Sequence, residues 1–215
     1  MRRCLLEPPS QVWAAAESLM EAVRLNNVGE PARAAALFRE ANLPSIGAWF
    51  SKVVGRYDPV IHGHRPQVLD PPVLTLAERK KPRMPSAATK REILQRDGFH
   101  CRFCEMPVIP KSTIRLIAKF YPAAAPWSDK ADQQHTFLQA ANLQYDHILA
   151  HSRGGASDAE NMVITCAVCN YGRGSWSLAE VAIVDPRPLP IRKSSWNGLQ
   201  SFELPGPGAG DFRAR

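Results

Sequence analysis

Between residues 10 and 55 apolar and polar positions alternate at close to the 3.6-residue period of an amphipathic helix. Trp13, Ala16, Met20 and Val23 form one stripe, with Ser10 placed to cap it. Pro31 suits the first turn of a second helix through Ala34, Leu37, Phe38 and Ala41. Ser45 stands at the start of a third, bearing Ile46, Trp49, Phe50 and Val53, which Gly55 would end. Together they predict a small bundle with its aromatic positions in the core. Pro59, Pro66, Pro71 and Pro72 then break the pattern and predict extended chain. A short helix from Thr89 through Arg91, Ile93, Leu94 and Arg96 should stop at Gly98. Tyr145–Leu149 and Met162–Thr165 have strand character, Gly154-Gly155 supplies the turn between them, and Asn170–Ala182 reads as a helix. Beyond Phe202 the run Pro205-Gly206-Pro207-Gly208-Ala209-Gly210 predicts little order. The expected class is α+β, divided into a helical region 1–78, a linker with a short helix 79–96, a strand–strand–helix domain 97–183 and an extended tail 184–215.

The 215 residues are 45% hydrophobic and 22% charged, which excludes global disorder. No apolar run approaches the roughly 20 residues that cross a bilayer. The stretch Met1–Glu7 has basic residues but no apolar core of a signal peptide, so a cytoplasmic location without a membrane partner is expected. The net charge of +7 changes the picture once it is located: residues 1–78 are neutral, 79–96 carry +6 and 97–215 carry +1. A block this local suits a polyanion, because cations laid on phosphates release counterions. Lys80, Lys81, Arg83, Lys90 and Arg91 are therefore candidate nucleic-acid contacts, with a solubilising linker as the alternative.

Two CxxC pairs, Cys101/Cys104 and Cys166/Cys169, carry the strongest signal. Each spacing lets two sulfurs of one knuckle face a point, and two knuckles supply the tetrahedral thiolate set that Zn²⁺ prefers. Redox pairs or unpaired buried thiols are the alternatives. Four thiolates leave no open position, so the ion would be structural, pinning residues near 101 to those near 166. Cys4 is left over and reads as inert. His62-Gly63-His64 could hold a metal, but lacks further ligands nearby.

Between the knuckles lies Tyr145-Asp146-His147-Ile148, and Asn170 follows the second pair. Asp146 and Asn170 offer hard oxygen ligands that would leave a Mg²⁺-type ion free to keep water and accept phosphate oxygens. His147, neutral near pH 7, can take a proton from an attacking water. Adjacent strand residues point to opposite faces, so Asp146 and His147 can serve one phosphate only if the chain bends at the strand end or in the loop before Gly154.

The combination of CxxC, Asp146-His147, Gly154-Gly155, Asn161, CxxCN and Arg173-Gly174 resembles the HNH endonucleases, the ββα-metal fold in its zinc-stabilised form, over residues 90–182. The resemblance implies a hydrolase that cuts phosphodiester bonds of DNA, leaving a 5′-phosphate and a 3′-hydroxyl. It implies His147 as general base, Asn161 as the residue that holds the loop and orients that histidine, and Asp146 with Asn170 as ligands of the catalytic ion. Arg173, and with it Arg153, are expected to contact phosphates. Gly174 stands where colicin nuclease domains have another metal-binding histidine, which points to a two-ligand site for Mg²⁺ or Mn²⁺. His151 stands where many relatives have a non-titrating residue and is expected to be solvated or DNA-facing. The stretch Glu105–Leu143, with Phe120, Tyr121, Trp127 and His135, is long for the family and is expected to pack over the knuckle. A non-catalytic zinc module that binds nucleic acid, or a nuclease acting on RNA, are the alternative readings.

Overall fold

A computed structural model describes residues 2–63, 66 and 68–204. His64 and the Pro/Gly-rich run from Pro205 lie outside the described residues, as do the expectations attached to them. The first helices are α1 (Gln11–Asn27), α2 (Pro31–Glu40), α3 (Pro44–Val54) and α4 (Pro59–His62). Then come α5 (Ala87–Asp97), α6 (Lys111–Phe120), α7 (Thr136–Ala141), β1 (Gln144–His147), β2 (Met162–Thr165) and α8 (Ala167–Arg173). The α+β class is as expected.

Local signals were realised unevenly. Pro31 occupies the first turn of α2 and Gly55 follows α3. Ser10 sits at the cap of α1 in helical geometry, so its hydroxyl caps nothing. Ser45 lies inside α3, because Pro44, whose ring presets φ, takes the first position instead. On α1 the buried face is Val12, Ala15, Ala16, Leu19, Ala22 and Val23, with Trp13 and Met20 half-buried at its edge. Ser86, a signal the expected start at Thr89 overlooked, accepts from the Thr89 N–H and caps α5.

One continuous core joins the N-terminal helices to the rest. Gly172 lets α8 meet α3 closely: a Cβ there would lie 2.5 Å from Val53 Cγ1. The Glu105–Leu143 stretch makes the other joint, and it packs on the N-terminal helices as well as over the knuckle. Tyr121 packs against Phe38 with tilted rings at 4.9 Å and donates to Asn26 Oδ1, while buried His135 donates from Nε2 to the Phe38 carbonyl at 2.7 Å. His62 is buried too, with Nε2 donating to the Val53 carbonyl at 2.8 Å and Nδ1 facing the Asp58 backbone. Its ring is thereby tied to backbone rather than free to ligate.

β1 and β2 pair antiparallel, Asp146 opposite Val163 and His147 opposite Met162. α5 is stitched to this hairpin: Asp97 accepts from the Ile164 N–H at 2.9 Å, and Arg96 Nη2 donates to the Met162 carbonyl. The last helix is shorter than expected and begins earlier. It starts in the second knuckle, with Cys166 as its cap, and stops at Gly174, where φ is 56°.

Candidate active site

The first knuckle is a tight turn in which Cys101 N–H donates to the Met106 carbonyl and Arg102 N–H to Ile164 of β2. The second begins α8, where Cys166 Sγ accepts from the Cys169 N–H. The four ligand atoms of Cys101, Cys104, Cys166 and Cys169 lie within 4.8 Å of one another, and all four residues are buried. Cys104 Sγ and Cys166 Sγ are 3.7 Å apart, too far for a disulfide and close to the edge of a tetrahedron with Zn–S bonds of about 2.3 Å. Burial pushes the Cys104 and Cys166 thiols up, while at Cys101 hydrogen bonds from the other three sulfurs outweigh burial and hold it well below the ordinary thiol range. Four sulfurs compressed in this way fit a shared divalent cation, and zinc is the ion that suits the set.

The second knuckle helps to position the candidate site residues. Asn170 follows Cys169 directly on α8, one turn before Arg173, and β1 delivers Asp146 and His147. The chain bends at Ile148 and Leu149, immediately after β1. Asp146, His147 and Asn170 line one open cleft of about 440 Å³, together with Arg79, Arg83 and His151. Asp146 is 5% exposed, and burial pushes its carboxyl above the usual carboxylate range although the Arg173 guanidinium pulls the other way. Burial, reinforced by the charges of His151, Arg173 and Arg83, lowers His147 to about 4, which leaves it neutral at pH 7.

The hydrogen bonds of His147 select a tautomer. Ser157 Oγ donates its proton to the Arg83 carbonyl at 2.7 Å, so at 2.9 Å from His147 Nε2 the hydroxyl oxygen can only accept. Nε2 therefore carries the proton, and Nδ1 keeps its lone pair with no partner among the described residues.

Two expected phosphate contacts are placed elsewhere. Arg173 is 1% exposed; it pairs with Asp146 at 2.5 and 3.3 Å and donates to the carbonyls of His147, Ile148 and Trp176. Arg153 is 2% exposed, held by Glu180, the Pro71 carbonyl and the Ser175 carbonyl. Both are internal clamps, because each guanidinium is matched to enclosed acceptors and neither faces solvent. Asn161 holds the loop, its Oδ1 accepting from Leu149 N–H and its Nδ2 donating to the Leu149 and Ala156 carbonyls, but none of these bonds reaches the His147 ring. Ser157, which carries no pattern in sequence, has that place.

The basic linker is not a free tether. Its backbone and the segment just before it lie across the loop after β1: Leu74 N–H donates to Ser152, His151 Nε2 to the Lys80 carbonyl at 2.6 Å, and Ser157 to Arg83. Thus His151, partly exposed on the cleft as expected, also bonds the linker. Arg83 reaches the cleft, Lys80, Lys81 and Arg91 are exposed, and Lys90 lies over the Tyr145 ring at 5.8 Å.

Comparison with known families decides the relationship. Residues 132–175 match the HNH endonuclease family model. The matched HNH segment runs from before α7 to the end of α8 and holds every cleft residue except those of the linker. An HNH domain implies a nuclease and a nucleic-acid partner. No curated protein and no solved structure matches the chain. No helix among the described residues is long and apolar enough to cross a membrane.

Proposed function

We propose that the protein is a metal-dependent endonuclease that hydrolyses phosphodiester bonds of DNA. The observation that carries this reading is the convergence of Asp146, His147 and Asn170 on one open cleft. A purely binding zinc module has no use for a buried carboxylate, a neutral imidazole and a carboxamide gathered on one opening.

The cleft fits a hard divalent cation. A carboxylate offers about four lone-pair sites; Arg173 takes two on Asp146, which leaves acceptor capacity beside the amide oxygen of Asn170. Mg²⁺ or Mn²⁺ held there by Asp146 and Asn170 would stabilise charge developing on the phosphate and the leaving oxygen. The remaining work belongs to the chain. His147 Nδ1 takes the proton of the attacking water. Its Nε2–H stays on Ser157, which holds the ring plane and stabilises the imidazolium that results. Arg173 opposes the effect of burial by favouring the charged form of Asp146 and aims it, and Asn161 keeps the loop after β1 folded. Zinc in the four-cysteine site would hold α8 against the first knuckle, and the protein should contain one equivalent of it.

Incubation of supercoiled plasmid with the purified protein tests the reading. Nicking with Mg²⁺ or Mn²⁺, abolished by EDTA and leaving ligatable 5′-phosphate ends, is expected; absence of nicking with either ion contradicts it.

A further inference from the structure

The two arginines expected to contact phosphate, Arg153 and Arg173, are buried, yet among the described residues Arg79 and Arg83 bring positive charge to the cleft, and both come from outside the matched HNH segment. They lie on the linker, which is held as a strap across the cleft. Pro71 accepts from Arg153, Leu74 donates to Ser152, Lys80 accepts from His151 and Arg83 accepts from Ser157. Four bonds spread over residues 71–83 fix the strap along its length, so its side chains have a defined position relative to Asp146 and His147.

Arg79 is the better organised of the two. It is half-buried, and its Nε donates to the Leu74 carbonyl at 3.1 Å, which fixes the plane of the guanidinium. Its Nη1 and Nη2 meet no acceptor among the described residues, although the group lines the cleft. A guanidinium with one edge anchored and the other open is prepared for a bidentate oxyanion, at a smaller entropy cost than a free side chain carries. Among the described residues the one carboxylate lining the cleft, Asp146, is already paired with Arg173. The anion that fits is a backbone phosphate of the substrate.

We propose that the strap is the second wall of the reaction site and that Arg79 contacts the DNA phosphate next to the one being cut. This rests on the nuclease reading and extends it: the strap shapes the chemistry and does more than tether the duplex. Because the contact positions the reacting phosphodiester, its loss affects turnover as well as affinity.

The test compares Arg79→Ala and Arg79→Lys with Arg115→Ala, which removes the same charge from the exposed face of α6, in the zinc-loaded full chain. Affinity for a duplex oligonucleotide is read by fluorescence anisotropy with Mg²⁺ and Mn²⁺ omitted across a salt series, and kcat by nicking at saturating DNA. Arg79→Ala should weaken binding about tenfold, lower the salt slope by about one and reduce kcat. Arg79→Lys should recover affinity but not kcat, since a lysine cannot reproduce the bidentate geometry. Slow hydrogen exchange at the Leu74 amide, retained in each variant, shows that the strap remains docked. The proposal is overturned if Arg79→Ala matches Arg115→Ala, or if affinity falls while kcat does not. A wild-type chain that binds DNA through Arg79 but never nicks it contradicts the nuclease reading instead.

Discussion

Arg173 Nη2 lies 2.5 Å from Asp146 Oδ1, and neither side chain is more than a few per cent exposed. A basic residue that the family pattern offers as a substrate contact is thus the counterion of the carboxylate assigned to the metal. Replacing it leaves a buried charge without its partner, which costs about 3–5 kcal/mol. For a chain of this size Arg173→Ala should therefore lower Tm by about 6–20 °C at constant zinc content. Arg91→Ala, on the exposed side of α5, should leave Tm nearly unchanged. Thermal melts of the two variants check this.

Ser157 should matter through His147. Ser157→Ala removes the acceptor at Nε2 and the tie to the Arg83 carbonyl, so the ring loses its fixed tautomer and plane. A single hydrogen bond of about 1 kcal/mol predicts a fall of about fivefold in nicking rate. Long-range ¹H–¹⁵N spectra should show the His147 ring passing from the Nε2–H tautomer to a mixture. Ser157→Thr, which keeps the hydroxyl, should restore both.

Gly155 admits no side chain. A Cβ there would stand 1.8 Å from the Leu149 carbonyl oxygen and 2.7 Å from Asn161 Nδ2, inside the clamp that closes the loop. Gly155→Ala must push Asn161 out of that clamp, and the same loss follows from Asn161→Ala. Both should reduce nicking by one to two orders of magnitude while the four-cysteine site retains its zinc, since a misplaced base can cost about 10²-fold. Single-turnover nicking and elemental analysis together test this.

Acid should destabilise the fold through His135. Burial lowers its pKa from 6.5 to about 4, outweighing the Nε2–H bond to the Phe38 carbonyl, which favours the charged ring; only the neutral form can also accept at Nδ1 from the Leu138 N–H and cap α7. The unfolded chain therefore binds the extra proton first. The stabilisation is fully present above pH 6.5 and is lost as pH falls from 6.5 towards 4, by about 1.4 kcal/mol per pH unit for this one group. His135→Gln should lower Tm at pH 7, where its bonds are missing, yet flatten the decline of Tm between pH 6.5 and 5.

The parts of the site that follow from spacing were legible in the sequence. Two CxxC pairs dictate a four-sulfur cluster, and Asn170 is carried with the second pair because it is the next residue on the helix that pair begins. The bend after His147 followed from the need of two adjacent strand residues to face one cleft. What depends on burial was not legible. Arg153 and Arg173 read as surface cations until the packing of α8 on the loop after β1 encloses them. Ser157 has no neighbouring motif, and its role arises only when the linker passes over it. The boundary between helical region and nuclease unit was likewise hidden, since the contact of Gly172 with Val53 joins positions far apart in the chain. Ser10 and Ser45 show the limit of capping rules where a neighbouring backbone or proline decides the helix start.

Activation of water by His147 is the step on which hydrolysis depends. Single-turnover nicking of supercoiled plasmid by the wild type and His147→Ala, at saturating Mg²⁺ and matched zinc content, measures this directly. A rate reduced by about 10²- to 10⁴-fold in a variant that melts normally and still binds duplex DNA is the predicted result. A rate equal to that of the wild type contradicts it.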